Sequence, residues 1–200
     1  MRVEFEKFVN EHLGPDTLLI TCGLPGSWKT ETAEELAKFK GYPILRTDIV
    51  RLEVLKNEDI FDEKVASNMD KRKLVYDEVF RRADELAKNN LGVILDATFV
   101  TQELRRRAAA IAAENDKRFV IMQTSCPQEV SINRILRRTK EDYESNALTE
   151  QAYLNNKKKF EAVDLDDLKT LYPNLQILHF TVDTSEDPPD KWFVIDKVTR

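Results

Sequence analysis

The sequence predicts an α/β protein built on a mostly parallel sheet with helices on its faces. Short apolar runs alternate with helical patterns along the chain, the signature of strands joined by helical crossovers. The run Thr17-Leu18-Leu19-Ile20-Thr21 opens into a glycine-containing loop and then a helix, the order expected of a phosphate-binding unit. A length of 200 residues fits one domain, or one domain with a modest insertion.

The elements follow in order. A helix is expected over 3–12 and stops at Gly14-Pro15. A buried strand follows over 17–22, and residues 31–39 read as a helix. A short strand at 43–46 leads through polar residues to a long helix over 62–88, whose apolar residues, Val65, Met69, Val75, Val79 and Ala83 among them, recur at helical period. Asn89-Asn90-Leu91-Gly92 closes it before the strand Val93-Ile94-Leu95, which ends on Asp96. A helix over 101–114 and a strand over 119–122 come next, and Pro127 opens a helix running to about 140. A loop over 141–147, a helix over 149–161 and a strand over 176–182 complete the core, and the tail is expected to end in a short helix reaching 200.

The chemistry is concentrated at Gly23-Leu24-Pro25-Gly26-Ser27-Trp28-Lys29-Thr30, which fits the phosphate-loop pattern G-x-x-x-x-G-K-[S/T] except that Trp28 holds the last glycine position. Gly23, Gly26 and the small Ser27 let the floor of the loop approach a phosphate, and backbone N–H groups at the helix start add positive potential. Lys29 is placed to reach the outer phosphates of a nucleotide, and the Thr30 hydroxyl to face a magnesium ion. A strand-to-helix turn without a ligand is the competing reading. Asp96, at the end of an apolar strand, suits a carboxylate that holds or orients the metal, and equally a helix-capping acid.

Arg46-Thr47-Asp48-Ile49-Val50-Arg51 follows the second strand, where the crevice of an open α/β sheet is expected. Asp48 and Arg51 share a helix face; they suit a base and an anion-positioning group for a phosphate acceptor, or an N-cap with a surface ion pair. Arg134, Arg137 and Arg138 form a cluster from which one or more arginines could swing over a nucleotide. Arg105-Arg106-Arg107 and Lys157-Lys158-Lys159 read first as solvated helix faces. No histidine or cysteine spacing suggests zinc.

Composition narrows the classes. An apolar fraction of 42%, a charged fraction of 34% and a net charge of −5 describe a globular protein that is not a general nucleic-acid platform. No apolar run approaches the length of a membrane span, and the first residues lack a signal-peptide pattern. Two cysteines, Cys22 and Cys126, leave no disulfide framework, and a cytoplasmic location is expected.

Taken in order, the segments resemble the P-loop kinases related to polynucleotide 5′-hydroxyl kinase, zeta toxins and chloramphenicol phosphotransferase, in particular a predicted-kinase branch with an AAA-type ATP-binding unit. The matching segments are the loop at 23–30, Thr47-Asp48-Ile49-Val50-Arg51, Ile94-Leu95-Asp96-Ala97-Thr98-Phe99, a helical arginine at Arg105 or Arg106, Cys126-Pro127, and Arg134 with Arg138. Ser145-Asn146-Ala147 stands where a Ser-Asp-Ala element is usual, so Asn146 and Trp28 depart from the pattern.

The resemblance covers about residues 15–185. It implies a three-layer fold with a five-stranded parallel sheet of order 2-3-1-4-5, counted from the 17–22 strand, and one kinase domain over 1–200 with a helical lid at about 134–160. It implies ATP and Mg2+, bound through Gly23, Gly26, Ser27, Trp28, Lys29, Thr30, Arg134 and Arg138, with Thr30 and Asp96 toward the metal. It implies Lys29, Asp48 and Arg138 as catalytic residues, and Asp48, Arg51, Thr98, Arg105 and Arg106 toward a hydroxyl-bearing acceptor. The acceptor is either a small metabolite or a nucleotide or polynucleotide 5′-hydroxyl, and the acidic balance tilts toward the former. A nucleotide-binding switch or regulatory ATPase without phosphotransfer is the alternative.

Overall fold

The computed structural model describes residues 1–60, 65, 68–89, 92–138 and 148–200. The expected loop at 141–147, with Ser145-Asn146-Ala147, and the first residues of the long helix expected from 62 lie outside the described residues.

The sheet is built around the strands Thr17–Cys22 (β2), Ile44–Arg46 (β3), Val93–Asp96 (β4), Arg118–Ser125 (β5) and Ile177–Asp183 (β6). All five are parallel, in the spatial order β3-β4-β2-β5-β6. Counted from β2 this is the order 2-3-1-4-5. Every residue of β2 and β4 is buried, as expected of central strands covered on both faces.

The tail corrects the sequence reading. A 3-10 turn at Pro189–Lys191 is followed by a strand, Phe193–Thr199 (β7), which pairs antiparallel with β6; the residue pair Val3–Glu4 (β1) adds to its other edge. The sheet therefore has seven strands among the described residues instead of five. The tail favours a strand because Trp192 and Val194 bury their side chains in the core while Asp196 and Lys197 stay in water. At the other end of the chain, the helix expected over 3–12 begins only at Phe5, once β1 has paired.

Helices cover both faces. Phe5–His12 (α1) and Lys29–Lys40 (α2) pack on one face, where Phe8, Val9, Ala33 and Leu36 meet Leu19, Ile94, Val120 and Phe180. Met69–Asn89 (α4) and Gln102–Glu114 (α5) cover the other, where Tyr76, Phe80, Ala108 and Ala112 meet Leu18, Ile20, Leu95 and Phe119. Thr47–Val54 (α3) leans on α4 through Val50, Val75 and Val79. Gln128–Leu136 (α6), shorter than expected, and Glu150–Lys159 (α7) lie beyond β5.

A helix absent from the sequence reading, Leu165–Leu171 (α8), is capped by Asp164 and buries Leu165 and Leu168. Both thiols are free, Cys22 buried and Cys126 partly so. Among the described residues no helix is long and apolar enough to cross a membrane.

Candidate active site

Parallel strands aim their C-terminal ends at one edge of the sheet, and the chemistry-bearing residues gather there. The loop leaving β2 is fixed from within: Ser27 Oγ donates to the Leu24 carbonyl at 2.7 Å and lies 2.6 Å from Thr124 Oγ1 on β5. Gly26 has φ +77, and a Cβ there would sit 2.4 Å from the Ser131 carbonyl oxygen on α6, so only glycine fits. Trp28 adopts φ 56, ψ 38, the left-handed conformation that the usual glycine supplies, and it leads straight into α2. No side chain caps α2 there, so the N–H groups of its first turn face outward for an anion.

Lys29 Nζ donates to the Leu24 carbonyl at 2.8 Å. Burial lowers its pKa; the Asp96 carboxylate raises it and the Arg138 guanidinium lowers it, so Lys29 lies within electrostatic reach of both groups. Thr30 Oγ1–H donates to Asp96 Oδ2 at 2.6 Å, and Thr21 Oγ1–H to Asp96 Oδ1 at 2.9 Å. A hydroxyl and a carboxylate side by side are hard oxygen donors. They fit magnesium, which binds through one or two protein oxygens and completes its shell with water and phosphate. No cluster of three or more metal-ligating side chains occurs among the described residues.

Asp48 and Arg51 pair with each other at the start of α3. Burial pushes the Asp48 carboxyl up; the Arg51 guanidinium pulls it down and the Asp96 carboxylate pushes it up, so Asp48 faces both. Tyr76 on α4 joins this side of the site: burial raises its hydroxyl pKa, and the Arg51 and Arg72 charges and the neighbouring Thr98 side chain lower it. The structure therefore brings Lys29, Thr30, Asp48, Arg51, Asp96, Thr98 and Arg138 to the same end of the sheet, within bonding or electrostatic reach of one another's neighbours.

Three expected ligands take other partners. Arg105 is fully buried and donates to the Glu161 carbonyl at 2.7 Å and the Ala162 carbonyl at 3.0 Å, which anchors the segment before α8. Arg106 pairs with Asp167 on α8 at 2.7 Å. Arg134 is buried, and its guanidinium spans the Gly26 carbonyl (3.3 Å), the Thr184 carbonyl (2.8 Å) and Asp187 Oδ1 (2.9 Å). Its N–H groups are spent on tying the phosphate loop to the segment after β6. Trp28 belongs to the same tie: its indole donates to Asp187 Oδ1 at 3.2 Å, and the Arg134 guanidinium lies 4.5 Å from its ring centre. Those two bonds hold the Asp187 carboxyl below the usual carboxylate range, the Arg134 bond foremost.

Asp187, Tyr76 and Thr21 carried no signal in the sequence, because their partners lie far along the chain. A concavity of about 890 Å³, open to solvent, lies at the opposite edge of the sheet beside Asp16, Arg118 and Gln176, and contains none of these groups.

Similarity to solved structures follows the same architecture. A gluconokinase from Sinorhizobium meliloti 1021 aligns over 87% of this chain and 85% of its own, with 18% identity and a TM-score of 0.58. A sugar kinase from Janibacter sp. HTCC2649 aligns over 88% and 90%, with 17% identity and a TM-score of 0.61. A structure of the PezAT toxin–antitoxin system of Streptococcus pneumoniae aligns over 89% and 77%, with 14% identity and a TM-score of 0.54. No curated protein matches the sequence. The AAA domain family matches residues 18–163, from the central strand β2 through the phosphate loop, Asp48 and Asp96 to the segment after α7, and the chain belongs to that family.

Proposed function

We propose that the protein is a kinase that transfers the terminal phosphoryl group of ATP to a hydroxyl of a small acceptor, with magnesium bound at Thr30 and Asp96. The observation that carries this reading is that Asp48, a carboxyl with a raised pKa, lies within electrostatic reach of both Lys29 and Asp96 at the mouth of a phosphate loop. A phosphate loop alone binds nucleotide; a base opposite it gives an acceptor somewhere to lose its proton.

In the reaction, the acceptor oxygen forms a bond to the terminal phosphorus while the bond between that phosphorus and the bridging oxygen breaks. ADP leaves with the electron pair, and the acceptor proton passes to Asp48. Lys29 and the N–H groups at the start of α2 hold the phosphates in line. Arg138, within electrostatic reach of Lys29, balances charge on the group in transit. Arg51 orients Asp48 and, with Tyr76 and Thr98, lines the acceptor side. Magnesium, when bound, neutralises the phosphate oxygens. One domain over 1–200 carries the site, with a lid at about 134–160, and the cytoplasm is its place of action.

A sugar or sugar acid is the favoured acceptor class. The net charge of −5 suits a small molecule better than a polynucleotide, and gluconokinase and sugar kinase are among the similar structures. The test is an acceptor screen for ADP formation, with sugars, sugar acids, nucleosides and a 5′-hydroxyl oligonucleotide. A sugar or sugar acid should stimulate ADP formation many-fold, and Lys29→Ala should lose roughly ten- to a hundredfold in ATP affinity, the worth of a charged hydrogen bond. ATP binding without any acceptor-dependent turnover would favour a nucleotide switch; no ATP binding would remove the reading.

A further inference from the structure

The C-terminal end of β3 holds two buried polar atoms, Arg46 Nε and Thr47 Oγ1, that have no hydrogen-bond partner among the described residues. They immediately precede Asp48. Buried donors are almost always paired in folded proteins, and a cluster of exceptions beside a cleft marks a place where a ligand completes the pairing. Thr47 is only 4% exposed, so water does not reach it freely.

Arg46 is paired in register with Asp96 across β3 and β4, and its Nε lies 3.9 Å from Asp96 Oδ2. That is close enough for attraction and too long for a hydrogen bond. The reason is competition: Thr30 and Thr21 already donate to the two Asp96 oxygens at 2.6 and 2.9 Å. The other contact of the guanidinium is a 3.5 Å approach to Glu34, which is half exposed and therefore weak. Arg46 is thus a cation held at the cleft by a carboxylate that has no free geometry to satisfy it.

An anion would satisfy it. The nucleotide phosphates nearest the loop belong to Lys29 and the start of α2. Arg46 stands instead on the β3 side, beside the Asp96 carboxylate and two residues before Asp48 in the chain, on the side where the acceptor base is proposed. We propose that Arg46 binds the terminal phosphoryl group of the nucleoside triphosphate, turning its Nε–H from Asp96 to a phosphoryl oxygen. This rests on the kinase reading above and adds a residue that no part of that reading requires.

The proposal predicts discrimination between triphosphate and diphosphate. Calorimetric titration would compare the magnesium complexes of ADP and of the β,γ-imido analogue of ATP on the parent, Arg46→Gln and Arg46→Lys. Arg46→Gln should lose about ten- to a hundredfold in affinity for the triphosphate analogue, as for a lost charged hydrogen bond, and stay within about twofold for ADP. Arg46→Lys keeps the charge without the Nε–H and should fall between parent and Arg46→Gln; should Arg46→Gln fail to fold, the lysine variant carries the comparison. An unchanged ratio, or equal losses for both nucleotides, overturns the assignment. ADP binding by the parent that disappears in Lys29→Ala would leave the phosphate-loop reading standing in that case, whereas absence of both nucleotides from the parent would overturn the two together.

Discussion

Thr30 and Asp96, 66 residues apart in sequence, are joined by a 2.6 Å hydrogen bond across the C-terminal edge of the sheet. The bond sets a hydroxyl beside a carboxylate, the two oxygen donors assigned to magnesium in the proposed function. Asp96→Asn should therefore lower ATP affinity about 10–100-fold with magnesium present, the usual cost of losing a group that orients a metal's shell. With the metal chelated, parent and variant should bind ATP alike. Calorimetry in magnesium and in chelator checks this, and equal losses in the two conditions would make Asp96 a structural residue.

On the proposed mechanism Asp48, as the base, sets the pH dependence of the reaction. Burial pushes its carboxyl up, Arg51 pulls it down and Asp96 pushes it up. A base must be ionised to accept a proton, so the rate falls as pH drops through this raised pKa. The acid limb of kcat/KM should lie above the ordinary carboxylate value of about 4. Arg51→Ala should move the limb to higher pH and Asp96→Asn to lower pH; pH–rate profiles shifting in the same direction would contradict the arrangement. For stability the sign is the reverse of a salt-bridged acid. The Asp48 contribution is full below its unfolded pKa and fades as pH rises through the folded one.

Trp28 combines a strained backbone with favourable side-chain contacts. A left-handed residue with a side chain costs roughly 1–2 kcal/mol, while stacking under Arg134 returns about 0.5–1 kcal/mol and the indole hydrogen bond a similar amount. Trp28→Gly should thus leave the melting temperature within about 4 °C and retain ATP binding. The indole lies against Arg134 and Asp187, so nucleotide binding should change its fluorescence through the segment after β6. A Trp192→Phe background isolates the signal, and no response at saturating ATP would limit Trp28 to packing.

Arg105 and Arg106 are neighbours with different fates. Arg105→Ala removes a buried guanidinium and its bonds to the 161–162 carbonyls, and should destabilise the fold by about 2–4 kcal/mol, lowering the melting temperature by roughly 5–15 °C. Arg106→Ala loses only a surface pair and should barely move it. Thermal unfolding checks the contrast; a shift in acceptor KM from either variant without a stability change would restore the ligand role inferred from resemblance.

The sequence alone determined what is local or periodic. A phosphate loop binds through its own backbone, so residues 23–30 carried their meaning in a row, and Trp28 stood out as the misfit from the sequence alone; its left-handed backbone is what the fold adds. Asp48 and Asp96 could be located because Asp96 ends a parallel strand and Asp48 opens the helix just after one, and parallel strands deliver their last residues to one edge. Tertiary structure alone decided how the arginines are used, because helical spacing fixes a residue's face but not what that face meets. Arg105 points into the core beneath the 161–162 segment, and Arg134 is consumed by Asp187, a partner 53 residues away. Arg46, unremarkable in sequence, is drawn to the cleft by its register with Asp96. The tail turned from an expected helix into β7 for the same reason: its strand exists only because the open edge of β6 lies beside it, and pairing between distant segments leaves no periodic trace that outweighs a short polar tail.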